Sequence, residues 1–154
     1  MIIVPGAVVE EIAAAAEAAY PEECCGLLIG RTDNEDSASD RIRVTRAVAS
    51  RNVATEPRRD RFEVDPAVRF ALMRELGEGP ERIVGHYHSH PDHPAEPSAR
   101  DAEMAFEPDL VWVIVSVAGG RVVDMRAHRP EPGGHRFRPV TFDASWRGPQ
   151  SHAS

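Results

Sequence analysis

Two histidines two residues apart are the first residues in this chain whose spacing suggests chemistry. His88 and His90 lie in Gly85-His86-Tyr87-His88-Ser89-His90-Pro91, just after the apolar Ile83-Val84. In an extended strand, residues two apart point to the same face at about 7 Å, close enough to share one cation. A third ligand must come from elsewhere in the chain. After the proline-rich loop from Pro91 to Pro97, Ser98-Ala99-Arg100-Asp101 opens an amphipathic helical segment, with the carboxylate of Asp101 in its first turn. Two imidazoles and one carboxylate make a catalytic type of zinc set, with a fourth position left for water.

The elements that must position these groups follow from pattern and punctuation. Met1 to Val4 is a short apolar strand ended by Pro5-Gly6. Ala7 to Tyr20 is rich in alanine and glutamate, with Val8, Ile12, Ala15, Ala16 and Ala19 on one face, which predicts a helix stopped by Pro21. Glu23 to Gly30 reads as a buried strand. Its hairpin partner carries Ile42, Val44, Ala47 and Val48, across a polar turn or flexible loop from Thr32 to Asp40. Asn52 to Asp65 is irregular, with Pro57 and an arginine cluster, and Phe62 and Val64 suggest a short strand. Asp65-Pro66 fits an N-cap and a first-turn proline for a helix to about Glu75, ended by Gly77 and Gly79-Pro80. A strand from Ile83 to His88 follows, then the loop, then a helix from Ala99 to about Phe106. Leu110 to Val117, the most apolar run, predicts the central strand. Gly119-Gly120 turns into a strand from Arg121 to His128, and after the loop Pro130 to Gly134 a last strand spans about Arg136 to Phe142.

These elements predict an α/β fold in one domain over residues 1–143, a mixed sheet with helices packed on it, and residues 144–154 as a flexible tail. There is no internal repeat. Cys24 and Cys25 are adjacent and lack CxxC spacing, so they read as buried thiols of a reducing compartment. No stretch has the length of a signal peptide or approaches the roughly 18 apolar residues of a membrane span. The expectation is a cytoplasmic protein with no membrane contact. A net charge of −7 argues against a nucleic-acid partner, leaving only the local patch Arg58-Arg59-Asp60-Arg61. All 18 basic residues are arginine, so lysine general-base or Schiff-base chemistry is excluded.

Each feature also has an ordinary explanation. An isolated pair of histidines can simply end a strand, and Ser98-x-x-Asp101 matches a capping box. Together, His88-Ser89-His90-Pro91, six residues, Ser98, two residues and Asp101 resemble the JAMM motif of the MPN or Mov34 family of zinc metalloproteases. Glu22-Glu23-Cys24-Cys25-Gly26-Leu27-Leu28 resembles that family's glutamate-bearing strand, and Asn52, Pro57, Phe62 and Asp65-Pro66 resemble its connector. The likeness covers nearly the whole chain. It implies the MPN fold, a mixed twisted sheet flanked by helices and similar to that of cytidine deaminases.

The resemblance further implies that His88, His90 and Asp101 hold one zinc ion per chain, and that Glu23 is the catalytic glutamate moving the proton of the attacking water. Ser98 would donate to the developing oxyanion. Glu22 rivals Glu23, but it points to the opposite strand face and lacks the family's spacing to Gly26. His86 shares the face of His88 and His90, where the family carries an aromatic residue, and reads as packing or outer-shell. His93 reads as a solvent-exposed loop residue, Cys25 as core whose closeness to the site would permit inhibitory oxidation, and Arg58, Arg59 and Arg61 as a solvated loop or a hold on a substrate tail. The short chain is similar to small bacterial members that process a ubiquitin-like sulfur carrier ending in Gly-Gly. Such a tail could be bound by strand addition. The competing readings are an isopeptidase of the deubiquitinase type, a non-catalytic MPN scaffold and a zinc deaminase. Scaffold members usually lack a ligand, and here the set is complete; the H-x-E and P-C-x-x-C deaminase signature is missing. The oligomeric state is not encoded in any of these features.

Overall fold

The structure, a computed structural model, describes residues 1–32, 41–55, 58–103, 109–133 and 136–144. The loop expected over 33–40, Pro57, the end of the helix expected at 104–106 and most of the expected tail, 145–154, lie outside these residues. In chain order the elements are β1 (Ile2–Val4), α1 (Gly6–Ala19), β2 (Cys25–Thr32), β3 (Ile42–Ser50), α2 (Pro66–Leu76), β4 (Arg82–Pro91), α3 (Ala99–Glu103), β5 (Val111–Ala118), β6 (Arg121–Pro130), β7 (Phe137–Val140) and β8 (Phe142–Ala144). One mixed sheet orders its strands β7-β6-β5-β4-β2-β3-β1-β8. This is the mixed, helix-flanked sheet that the sequence predicts.

Local chemistry accounts for the boundaries. Asp65 caps α2 by accepting from Ala67 N at 3.0 Å, with Pro66 in the first turn and Gly77 at φ 51° ending the helix. The expected hairpins are both present, β2 antiparallel to β3 and β5 antiparallel to β6. β5 lies inside the sheet, parallel to β4, and Val111, Val113, Ile114, Val115 and Val117 are all inaccessible to solvent, as a strand covered on both faces requires. Residues 52–65 are irregular as expected, and the short strand expected at Phe62 and Val64 reduces to an isolated bridge between Asn52 and Val64.

The last expected strand, about 136–142, is two strands. β7 pairs with β6 at one edge of the sheet, and β8 pairs with β1 at the other. Only Thr141 separates them, so the sheet curls until its edges meet there, where Ile2 N donates to Thr141 O at 2.8 Å.

α1 covers one face of the sheet, packing Val8, Val9, Ile12 and Ala16 into a core with Leu28, Val84, Tyr87, Val113 and Val115. α2 covers part of the other, where Leu72 meets Leu27 and Ile29. The register of β2 on β4 shifts between Leu28 and Ile29, which turns His86, His88 and His90 to the α2 side together with Leu27 and Cys25. On β4, Gly85 pairs with Val111, and a Cβ there would overlap the Val111 carbonyl. Replacing Gly85 by Ala should therefore lower stability by about 1–3 kcal/mol. A urea denaturation midpoint equal to that of wild type would contradict this close approach.

Candidate active site

Ladder pairing brings the first groups together. Cys25 lies opposite His88, and the pairing runs on past β2, with Ser89 N donating to Cys24 O at 3.2 Å and Cys24 N to Ser89 Oγ at 2.8 Å. One step further, Glu23 falls opposite His90 on the same face. The third group comes from α3 through a reciprocal capping box. Asp101 N donates to Ser98 Oγ at 3.0 Å, and Ser98 N donates to Asp101 Oδ2 at 2.9 Å. That exchange turns the Asp101 carboxylate toward the strand tip.

Glu23, His88, His90 and Asp101 are all buried. His88 Nε2 and His90 Nε2 stand 3.1 Å apart, and the Asp101 carboxylate lies 3.3 Å from the first and 3.0 Å from the second. Ligand atoms 2.0–2.1 Å from a tetrahedral centre are roughly 3.3 Å from one another, so these three atoms have the spacing of one metal's corners. The proton assignment agrees for His90. Its Nδ1 can only donate to the Pro94 carbonyl at 2.9 Å, which leaves the Nε2 lone pair facing Asp101. His88 Nδ1 has no hydrogen-bond partner among the described residues. Its ring is held instead by Phe62, stacked with centroids 4.1 Å apart and planes 14° apart.

Glu23, His88 and His90 offer ligand atoms that all lie within 4.8 Å of one another, a cluster able to hold a metal ion. Asp101 is the closer carboxylate, at hydrogen-bond distance from both rings. Glu23 stands across from them with Oε1 buried and without a hydrogen-bond partner among the described residues. The two carboxyls are driven apart electrostatically. Burial acts to raise the Asp101 carboxyl, but its contacts with His88 and His90 more than reverse this and hold it well below the usual range. Burial, then the Asp101 and Asp60 charges, push Glu23 up to about 9, with Arg100 opposing. Burial also lowers His88, against the pull of Asp101. A cation between these groups reverses the pressure on Glu23 and favours its ionised form.

The other singled-out residues lie apart. Glu22 is exposed, 3.8 Å from Arg58 Nη1. His93 is exposed, and its backbone is engaged on both sides, its N donating to His90 O at 3.4 Å and its carbonyl accepting from Ser116 Oγ at 2.6 Å. His86 is buried against Trp112, ring centroids 4.3 Å apart, and burial takes it down to about 3, so it is neutral packing at ordinary pH. The Cys25 thiol points at three backbone carbonyls, and burial pushes it up to about 12, which makes it an unreactive core thiol. Ser98 is exposed at the start of α3 with its hydroxyl oxygen taken by the cap. The loop carrying Arg58 and Arg61 is more than a solvated turn. Arg58 O accepts from Glu23 N at 2.7 Å, and Asn52 Nδ2 donates to Glu23 O at 3.1 Å and to Arg61 O at 2.9 Å. Sequence spacing does not expose that role of Asn52. The available signal is the residue type, since Asn in an irregular segment both donates and accepts locally.

A curled mixed sheet with two histidines at a strand tip, a carboxylate from the next helix and a glutamate on the neighbouring strand defines a domain of the JAB/MPN class. Residues 5–129 match the family model Prok-JAB, prokaryotic homologs of the JAB domain, and the chain belongs to that family. It is 37% identical over 121 residues to a desampylase of Haloferax volcanii, covering 79% of this chain and 77% of that one. It is 27% identical over 140 residues to the CysO-cysteine peptidase of Mycobacterium tuberculosis, covering 91% and 90%. In fold it is similar to a JAB1/MPN domain protein of Archaeoglobus fulgidus, with a TM-score of 0.57 at 18% identity, covering 94% of this chain and 98% of that one.

Two substitutions separate ligand from packing at this site. Asp101→Asn should weaken the binding of an added divalent metal by at least about tenfold, because it removes a charge within hydrogen-bond reach of both imidazoles. His86→Phe should leave that affinity within about twofold and stability unchanged or raised by up to about 1 kcal/mol, since it deletes a buried nitrogen with no partner among the described residues. Competition against a chromophoric chelator measures both, and equal effects of the two substitutions would contradict the division.

Proposed function

We propose that this chain is a zinc-dependent peptidase that cuts next to the C-terminal Gly-Gly of a ubiquitin-like sulfur-carrier protein. The observation that carries the reading is the convergence of His88, His90 and Asp101 at ligand spacing with Glu23 facing them. The relatives named desampylase and CysO-cysteine peptidase support the substrate class. His88, His90 and Asp101 hold the ion. Zinc held by these residues would supply Lewis acidity, which lowers the pKa of a water to about 7 and polarises a carbonyl.

The chain's own groups do the rest. Glu23 takes a proton from the attacking water and delivers it to the leaving amine as the carbon–nitrogen bond breaks. Ser98 keeps its hydroxyl proton while its oxygen accepts from Asp101 N, so it is free to donate to the carbonyl oxygen as that atom gains charge. Capping and catalysis therefore use different parts of one hydroxyl.

An extended tail has a place to lie. β7 pairs only with Ala127 to Pro130, so the outer edge of β6 from Arg121 to Arg126 has no strand neighbour among the described residues. A groove of about 660 Å³ beside it, lined by Met125, Arg126, Phe137 and Val140, reaches Ser98. Strand addition there uses main-chain hydrogen bonds and suits a Gly-Gly tail without a side-chain pocket. Two free, buried cysteines fit a reducing compartment, and we place the protein in the cytoplasm. No helix among the described residues is long and apolar enough to cross a membrane.

The test is a sulfur carrier whose Gly-Gly terminus is extended by a few residues. Wild type with about one zinc per chain should release the extension, and a chelator should stop the reaction until zinc is restored. Glu23→Gln should retain zinc yet lower kcat by at least about 100-fold. Cleavage of ubiquitin chains but not of the carrier would move the assignment to a deubiquitinase-type isopeptidase. A protein that holds no zinc and cuts nothing would be a scaffold.

A further inference from the structure

Glu23 lies where regular pairing has run out on one side. β3 leaves β2 at the pair Cys25 and Ser50, so no strand on that side reaches the backbone of Glu23. Buried backbone groups need partners, and the connector between Asn52 and Val64 supplies them. Glu23 N donates to Arg58 O at 2.7 Å, and Glu23 O accepts from Asn52 Nδ2 at 3.1 Å.

Asn52 uses its whole hydrogen-bonding capacity on this task. An asparagine amide offers two N–H donors and an oxygen with two lone pairs. Nδ2 donates to Glu23 O and to Arg61 O, and Oδ1 accepts from Ala54 N and Glu63 N, each at 3.0 Å. Arg61 and Glu63 flank Phe62, whose ring stacks on His88. One side chain thus ties the backbone of Glu23 to the segment whose aromatic ring rests on a histidine of the site.

We infer that Asn52 is a positioning residue, setting the Glu23 carboxylate at a fixed offset from the His88 and His90 pair. This rests on the reading of Glu23 as the proton-transfer group. Asn52 touches neither ion nor substrate and acts through the carbonyl of Glu23. A displacement of about 1 Å at such a group lowers turnover by up to about 100-fold while leaving substrate binding intact.

Asn52→Asp isolates the contact, because it keeps the oxygen that holds Ala54 and Glu63 but puts an oxygen against the Glu23 carbonyl. The zinc-loaded variant should show kcat lower by about 10- to 100-fold, with KM within about twofold. Its zinc affinity should stay within about threefold of wild type, unlike the loss from removing a ligand's support. In a Glu23→Asp background, whose carboxylate is already displaced, the same change should lower kcat by less than about threefold. Crystal structures of the zinc-loaded proteins should show the Glu23 carboxylate shifted by roughly 1 Å in Asn52→Asp. Asn52→Ser, too short to bridge to Glu23, repeats the test should the aspartate variant not fold. An unmoved carboxylate, an equal loss in both backgrounds, or a loss confined to KM or zinc affinity would overturn the inference. If zinc-loaded wild type cuts nothing, the peptidase reading fails instead, and the carboxylate shift alone decides the role of Asn52.

Discussion

The antiparallel register of β2 on β4 is the constraint on which the site depends. Opposition of Cys25 to His88, continued by the bonds between Cys24 and Ser89, puts Glu23 across from His90 on the face that α3 approaches. A slip of one residue would send Glu23 through the sheet toward α1 and leave Cys24 facing the imidazoles. The register is held against that slip by shape as well as by hydrogen bonds. The Tyr87 ring packs over Gly26, its partner across the two strands, where a Cβ would collide with it. This one glycine and aromatic ring therefore favour the observed alignment of β2 on β4.

Burial sharpens the electrostatics of what that alignment assembles. Four buried ionisable groups lie together, and Glu23 Oε1 and His88 Nδ1 lack partners among the described residues, an arrangement that a positive charge placed among them would favour. Asp101 is driven to ionise and Glu23 to take up a proton, so the two carboxyls already differ in character before any ion arrives. Such separation is how two residues of one type take up two roles. His86, Trp112 and Phe137 continue the wall as packed rings, which keeps water from one side of the site without adding another charge.

The convergence of His88, His90 and Asp101 was legible in the sequence because each part of it is local. The strand period puts His88 and His90 on one face, and the capping box over Ser98 and Asp101 is written within four residues. The hairpins and the cap at Asp65 were readable for the same reason. The fate of Phe137 to Phe142 was harder to read, because the pairing partners β6 and β1 lie at opposite edges of a curled sheet and only the closure explains the crossing at Thr141. Asn52 was readable only as part of a connector. Its partner at Glu23 is 29 residues away, and a side-chain amide that bonds backbone carbonyls leaves no periodic trace.

The division between rigid and tethered parts follows from where each group sits. His88 and His90 are inside β4, His88 paired on both sides by β2 and β5 and His90 paired with Ser116 of β5, so ladder pairing sets their backbone positions. Asp101 is set by a capping exchange within its own turn. Glu23 alone stands past the end of its strand, with β4 on one side and a connector on the other. On the proposed reading, the groups that hold an ion at fixed spacing gain from regular structure, because a strand cannot shift one residue without its neighbours. On the same reading Glu23, as the group that moves a proton, needs a defined position and a carboxylate with room to turn. Tying its backbone while Oε1 has no partner among the described residues meets both needs.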